Sequence, residues 1–114
     1  MEAWKKARVL TSDIYRLTQR GQFAHDYPLR TQLRRAGISV MLNIAEGSAR
    51  RTDKEFAQFL FVATGSLAEV KSALYIARDL TYLNEQDFAA LYYQADQISR
   101  MISRLIRYLR RSDP

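Results

Sequence analysis

The chain has 114 residues, no cysteine, one histidine, four glycines and two prolines, and a formal charge of +6. That length fits one domain with one core, and the composition excludes disulfide frameworks, thiolate metal sites and histidine-bound zinc. The basic balance, carried mainly by arginine, favours anionic partners such as nucleic acid or an acidic protein surface.

The first element begins at once. Ala3, Ala7, Leu10, Ile14 and Leu17 repeat by four and three, one seam of an amphipathic helix. Nothing before it resembles a signal-peptide core, and no apolar run reaches the roughly 18 residues of a membrane span, so a cytoplasmic protein without a membrane partner is expected. Gly21 is the expected helix stop, and residues 21–28 are expected to form a loop. A second helix starts near Pro28 or Leu29, since proline suits a first turn, and runs through Leu33, Ala36, Val40, Ile44 and Gly47. Its stretch from Ile38 to Gly47 is apolar almost all the way round, which predicts burial on every side. Asn43 and Glu46 interrupt that stretch on a shared face, so an internal polar network or a subunit contact is expected there.

Thr52-Asp53-Lys54-Glu55 is a capping box that opens the third helix. Its seam is Phe56, Leu60, Ala63, Leu67, Val70, Leu74 and Ala77. Beside it run Phe59, Val62, Ser66, Ala73, Ile76 and Leu80 with Glu69 in the middle, then Phe61, Ala68, Tyr75 and Tyr82. Asn84 caps a fourth helix, with Glu85 and Asp87 in the first turn, where the helix dipole favours negative charge. Its seam is Phe88, Leu91, Ala95, Ile98, Ile102, Leu105 and Leu109, with Tyr92, Tyr93, Met101, Ile106 and Tyr108 beyond it. The mean spacing of 3.5 residues and the short connections predict an all-α, antiparallel up-down-up-down four-helix bundle, left-handed, as a single domain over 1–114. The surplus apolar surface predicts contact with further copies of the chain.

The run Gln32-Leu33-Arg34-Arg35-Ala36, Ser39, Asn43-Ile44-Ala45-Glu46-Gly47-Ser48, Asp53-Lys54-Glu55-Phe56, Gly65-Ser66 and Glu69 resembles the 23S rRNA intervening-sequence protein family of small bacterial four-helix bundles. Trp4-Lys5-Lys6-Ala7, Ile14-Tyr15 and Asp79-Leu80-Thr81-Tyr82-Leu83 extend the resemblance over essentially the whole chain. It implies a homo-oligomer, typically a pentameric ring, and a fold similar to the bundle protein that assists reverse transcriptase in diversity-generating retroelements. That protein binds nucleic acid through a basic surface. The resemblance carries no catalytic site, and the family often has proline where this chain has Met41.

Two carboxylates and an amide, Glu46, Glu69 and Asn43, imitate part of a bundle metal site. The Glu-x-x-His pairs such sites use are missing, and so is the lysine of a P-loop near Gly47-Ser48. These three residues are therefore expected to be structural, in a polar core or an interface, with Arg34, Arg35 or a helix end as partners of the carboxylates. Gly47, Gly65 and Ala68 are expected to permit close helix approach. No catalytic residue, cofactor or metal is expected. The basic residues fall in three clusters: Arg100, Arg104, Arg107 and Arg111 as one helical stripe, then Arg30, Arg34 and Arg35, then Arg50, Arg51 and Lys54. Each is a candidate for holding RNA or DNA backbones without reading bases. The alternative is a protein–protein scaffold that docks an acidic partner by the same charges.

Overall fold

In the computed structural model, which describes residues 1–111, four α-helices follow one another with no strand among those residues. They are α1 (Glu2–Thr18), α2 (Tyr27–Ser48), α3 (Asp53–Asp79) and α4 (Glu85–Arg110), with a short 3₁₀ helix at Gly21–His25 between the first two. The expected domain extends to 114, so its residues 112–114 lie outside the described range.

Local chemistry sets the helix ends. The Glu55 N–H donates to Thr52 Oγ1 at 3.1 Å, and the Thr52 hydroxyl donates to Glu55 Oε1 at 2.9 Å. The expected cap at Thr52 is made, but Glu55 reaches back to the cap's hydroxyl, not to its backbone N–H as in a full capping box. Asn84 Oδ1 accepts from the Asp87 N–H at 2.7 Å and opens α4. The start of α2 is less legible in the sequence: the Asp26 side chain accepts from the Leu29 N–H at 3.2 Å, which puts the first helical residue at Tyr27 with Pro28 in the first turn.

Two expectations fail near Gly21. Gln19, in ordinary right-handed geometry, closes α1, whereas Gly21 takes a left-handed φ of +47° and starts the 3₁₀ helix. That short helix places Phe23 in the core, stacked on Tyr82 at 5.1 Å between centroids. The 21–28 segment is therefore an ordered plug on one end of the bundle.

Every residue of the four seams is buried except Phe56 and Leu105, which are half-buried, and Ile106 joins the core as well. α2 packs on α1 and α3, and α4 packs on α3 and α1, so α2 and α4 lie on a diagonal. Residue numbers rise on one helix as they fall on its neighbour: Gln32–Glu69 and Ser39–Ser66, Lys71–Asp96 and Arg78–Glu85, Asp13–Gln94 and Arg20–Asp87, and Thr18–Arg34 with Thr11 beside Gly37. Neighbouring helices are thus antiparallel in a rod of 51 × 21 × 19 Å. α2 runs unbroken through Met41.

The apolar surplus is not absorbed by the chain itself. Leu42 is 59% exposed, so this chain by itself does not bury Ile38–Gly47 on every side. On α3, Ser66 and Ala73 turn inward, but Val62, Ile76 and Leu80 face out on one flank and Phe61 and Tyr75 on another. Tyr93 and Tyr108 do the same on α4. Although no long apolar run stands out in the sequence, α3 is long and apolar enough to cross a bilayer by length and composition; its seam is buried against the other helices.

Candidate nucleic-acid interface

The antiparallel layout gathers charges that are far apart in sequence. Gly47 of α2 packs against Phe56 and Phe59 of α3, Met1 and Trp4 of α1 share a hollow with Ile44 and Ser48, and the Arg110 guanidinium lies 5.9 Å from the Phe61 ring centre. One end of the rod therefore holds the start of α1, the α2–α3 turn and the last turns of α4. There stand Lys5, Lys6, Arg8, Arg50, Arg51, Lys54, Arg104, Arg107, Arg110 and Arg111, against Glu2, Glu46, Asp53 and Glu55. That excess accounts for essentially the whole charge of +6; the remaining described residues are nearly balanced.

The arginines of this end and of the α4 stripe that leads into it differ. Arg100 Nε is 3.0 Å from Asp96 Oδ2, so it is the tethered member of the α4 stripe. Lys71 bonds the other oxygen of Asp96 at 3.0 Å, and this bond first, with the Arg100 charge after it, holds the Asp96 carboxyl below its usual range. Arg104, Arg107 and Arg111 are exposed and have no carboxylate partner among the described residues. Arg110 escapes the sequence pattern because it falls off the four-three-four stripe. Arg50 is paired with Glu46 at 3.0 Å and stacked over Phe59 at 4.7 Å, while Arg51 is exposed.

Arg30, Arg34 and Arg35 are not part of this end. They lie in the other half of α2, on the diagonal from α4. Arg34 is half-buried and bonded to α1: its Nε donates to Thr18 Oγ1 at 2.9 Å, and its guanidinium stacks on Tyr15 at 4.4 Å.

The polar residues of α2 and α3 form a ladder along the outside of their contact. Gln32 donates to Glu69 at 2.8 Å, Ser39 and Ser66 share a hydroxyl–hydroxyl bond of 2.8 Å, and Asn43 Nδ2 donates to the Ser39 carbonyl at 2.8 Å. Asn43 is half-buried, but Glu46 and Glu69 are exposed. Their partners are Arg50 and Gln32, not the expected Arg34 or Arg35: Arg34 is bonded to α1, and Arg35 makes no ion pair with a described residue. The Glu46–Arg50 pair is open to water on both sides and screened by it. Glu46→Ala is therefore expected to leave the urea midpoint of the protein essentially unchanged; a large decrease would place Glu46 inside a subunit contact.

Residues 1–104 match the family model of the 23S rRNA-intervening sequence protein. The chain belongs to this family. The fold of the chain is similar to a crystal structure of a protein with unknown function from the S23 ribosomal protein family of Bacteroides thetaiotaomicron, with a TM-score of 0.84 over 91% of this chain and 97% of that one. At 18% identity that likeness establishes the four-helix architecture alone. No curated protein matches the chain. The matched residues include the Thr52 cap and the ladder, whereas the final basic turn of α4 extends past residue 104.

Proposed function

We propose that this protein is a non-enzymatic, cytoplasmic homo-oligomer that serves as an accessory or scaffold and holds nucleic-acid backbones at its basic end without reading their sequence. The observation that carries this reading is the concentration of the chain's net charge at one end of the rod, with Arg104, Arg107 and Arg111 unpaired among the described residues. From Arg100 to Arg111 the stripe spans about 16 Å at 1.5 Å per residue, a length over which duplex DNA presents several phosphates. Guanidinium forks bind phosphate oxygens in pairs, a geometry that carries no base information.

Self-association is supported by the two exposed apolar flanks of α3. Two different surfaces on one subunit suit head-to-tail contacts that close into a ring, whereas a two-fold dimer needs only one. A pentamer, as the family resemblance implies, satisfies that geometry.

The test is a salt series of binding to unrelated RNA and DNA sequences. Affinity is expected to fall steeply with salt and to vary little with sequence. Changing Arg104, Arg107 and Arg111 together to Gln should flatten the slope of log K against log salt by about 0.9 for each duplex phosphate that is no longer neutralised, with helicity and mass retained. Unchanged binding at moderate salt would leave the stripe a solvated face. The second reading, a scaffold that docks an acidic protein, would then be preferred, and Phe61 beneath Arg110 is the feature that favours it.

A further inference from the structure

We propose that the cleft between α1 and α2 is a phosphoryl-binding site organised by Arg34, separate from the basic end. The cleft measures about 300 Å³ and is lined by Tyr15, Arg30, Thr31, Arg34, Arg35 and Ile38, three arginines and two hydroxyl-bearing residues with no acidic residue.

Two of these arginines are held in place before any ligand arrives. Arg34 donates through Nε to Thr18 and through Nη2 to the Tyr15 carbonyl at 3.4 Å, and lies 4.4 Å above the Tyr15 ring. The Thr18 hydroxyl is itself fixed, fully buried and donating to the Ile14 carbonyl at 2.7 Å. Arg30 donates to the Ala24 carbonyl at 2.7 Å and stacks on Tyr27 at 4.4 Å. Neither makes an ion pair with a described residue, and Arg34 Nη1 takes no partner among them.

The acids nearby are already engaged. Asp26 accepts from the Leu29 N–H and the Tyr82 hydroxyl, and Asp13 from Arg16 and Gln94. Between Tyr27 and Ala45, α2 contains no acidic residue at all. Complementing the carbonyl end of α1 explains one bond of Arg34. It does not explain why Arg30, Thr31 and Arg35 line the same cleft with no acidic residue among them.

A dianionic phosphoryl group meets these conditions. It offers several oxygens to a preset fork, relieves the mutual repulsion of three cations and costs little side-chain ordering. The phosphoryl comes either from a small phosphorylated ligand or from the backbone of a nucleic-acid strand. The end of α2 at Ser48 lies about 21 Å beyond Arg34, so this site stands whether or not the basic end binds nucleic acid.

Amide NMR spectra of the intact protein, titrated with adenosine 5′-monophosphate, with inorganic phosphate and with a short single-stranded oligonucleotide lacking terminal phosphates, test the proposal. Adenosine is the control. Saturable shifts at Tyr15, Thr31, Arg34 and Arg35 are expected with a phosphate-bearing probe and not with adenosine. Response to the monophosphate or inorganic phosphate alone assigns a small ligand, and response to the oligonucleotide assigns a backbone phosphate; either supports the site. Arg30→Gln with Arg35→Gln should weaken that binding at least about tenfold while α-helicity stays the same. Arg34→Lys, which keeps the charge but loses the fork, should weaken it too. The Arg104, Arg107 and Arg111 glutamine variant should retain the cleft shifts, which separates failure here from failure at the basic end. No shift at the cleft with any probe, or equal affinity in the Arg30 and Arg35 variant, overturns the proposal.

Discussion

Gly47→Ala is expected to destabilise the protein by about 1–3 kcal/mol, read as a lower urea midpoint at unchanged slope. A Cβ at Gly47 would stand 2.8 Å from Phe56 Cδ1, 2.8 Å from Phe59 Cβ and 3.2 Å from the Phe56 carbonyl oxygen. The phenyl edge can swing, but the other two atoms belong to or adjoin the α3 backbone, so the helices themselves must separate. In an unobstructed helix the same change gains about 0.5–1 kcal/mol, so the steric penalty has to exceed that gain. Gly65 supplies the contrast. The sequence suggests close helix approach there too, yet Gly65 is exposed with nothing within 4 Å of an added Cβ, and Ala68 is exposed as well. Gly65→Ala should therefore stabilise the isolated subunit by that helix-propensity gain, and a drop in stability or in assembly mass would place Gly65 against another copy. Parental stability in Gly47→Ala would show that α2 and α3 do not approach so closely.

Glu at both Leu42 and Val62 is expected to reduce the mass measured by light scattering from several times 13.3 kDa to that of one chain, with the helical signal retained. The two side chains are 59% and 53% exposed and flank the Ser39–Ser66 bond, so neither supports the subunit's own core. Buried at a subunit contact, each carboxylate would need a partner that the surrounding apolar side chains do not offer. A parent chain that scatters as a monomer up to high concentration would remove the ring from the proposed function and leave these residues as plain surface. An oligomer that survives both charges would place the contact on the other flank, at Phe61 and Tyr75.

The seams and the caps at Thr52 and Asn84 are legible in the sequence because they depend on neighbours within a turn or two: a periodic apolar line, or a side-chain oxygen three residues from a free N–H. The 3₁₀ helix is not, since five residues carry no period and Phe23 becomes buried only by meeting Tyr82. Leu42 misleads for a related reason. Apolarity all round a helix says that water is unwelcome there and leaves open whether this chain or another excludes it. Among the candidate site residues, Arg34 reads as one of a basic run, whereas its stacking on Tyr15 and its bond to Thr18 come from a helix earlier in the chain. Glu46 and Glu69 look like intruders in apolar stretches, but they sit on the rim of the α2–α3 contact, where Arg50 and Gln32 reach them. The pooling of Arg50, Arg51 and the α4 arginines follows only when the bundle's antiparallel order is combined with the lengths of the helices.

The lengthwise charge asymmetry of the rod has a consequence for any cyclic assembly. Rotational symmetry gives every subunit the same orientation to the axis, so in a ring whose rods stand along that axis the charged tips gather on one side of the particle. Such a ring is two-faced. Its net charge sums on one side and nearly cancels on the other, so the long-range attraction of a polyanion acts mainly from one direction. Stoichiometry then follows the particle: one strand spans several tips at once, and the multivalent attachment outlasts what a lone subunit could sustain.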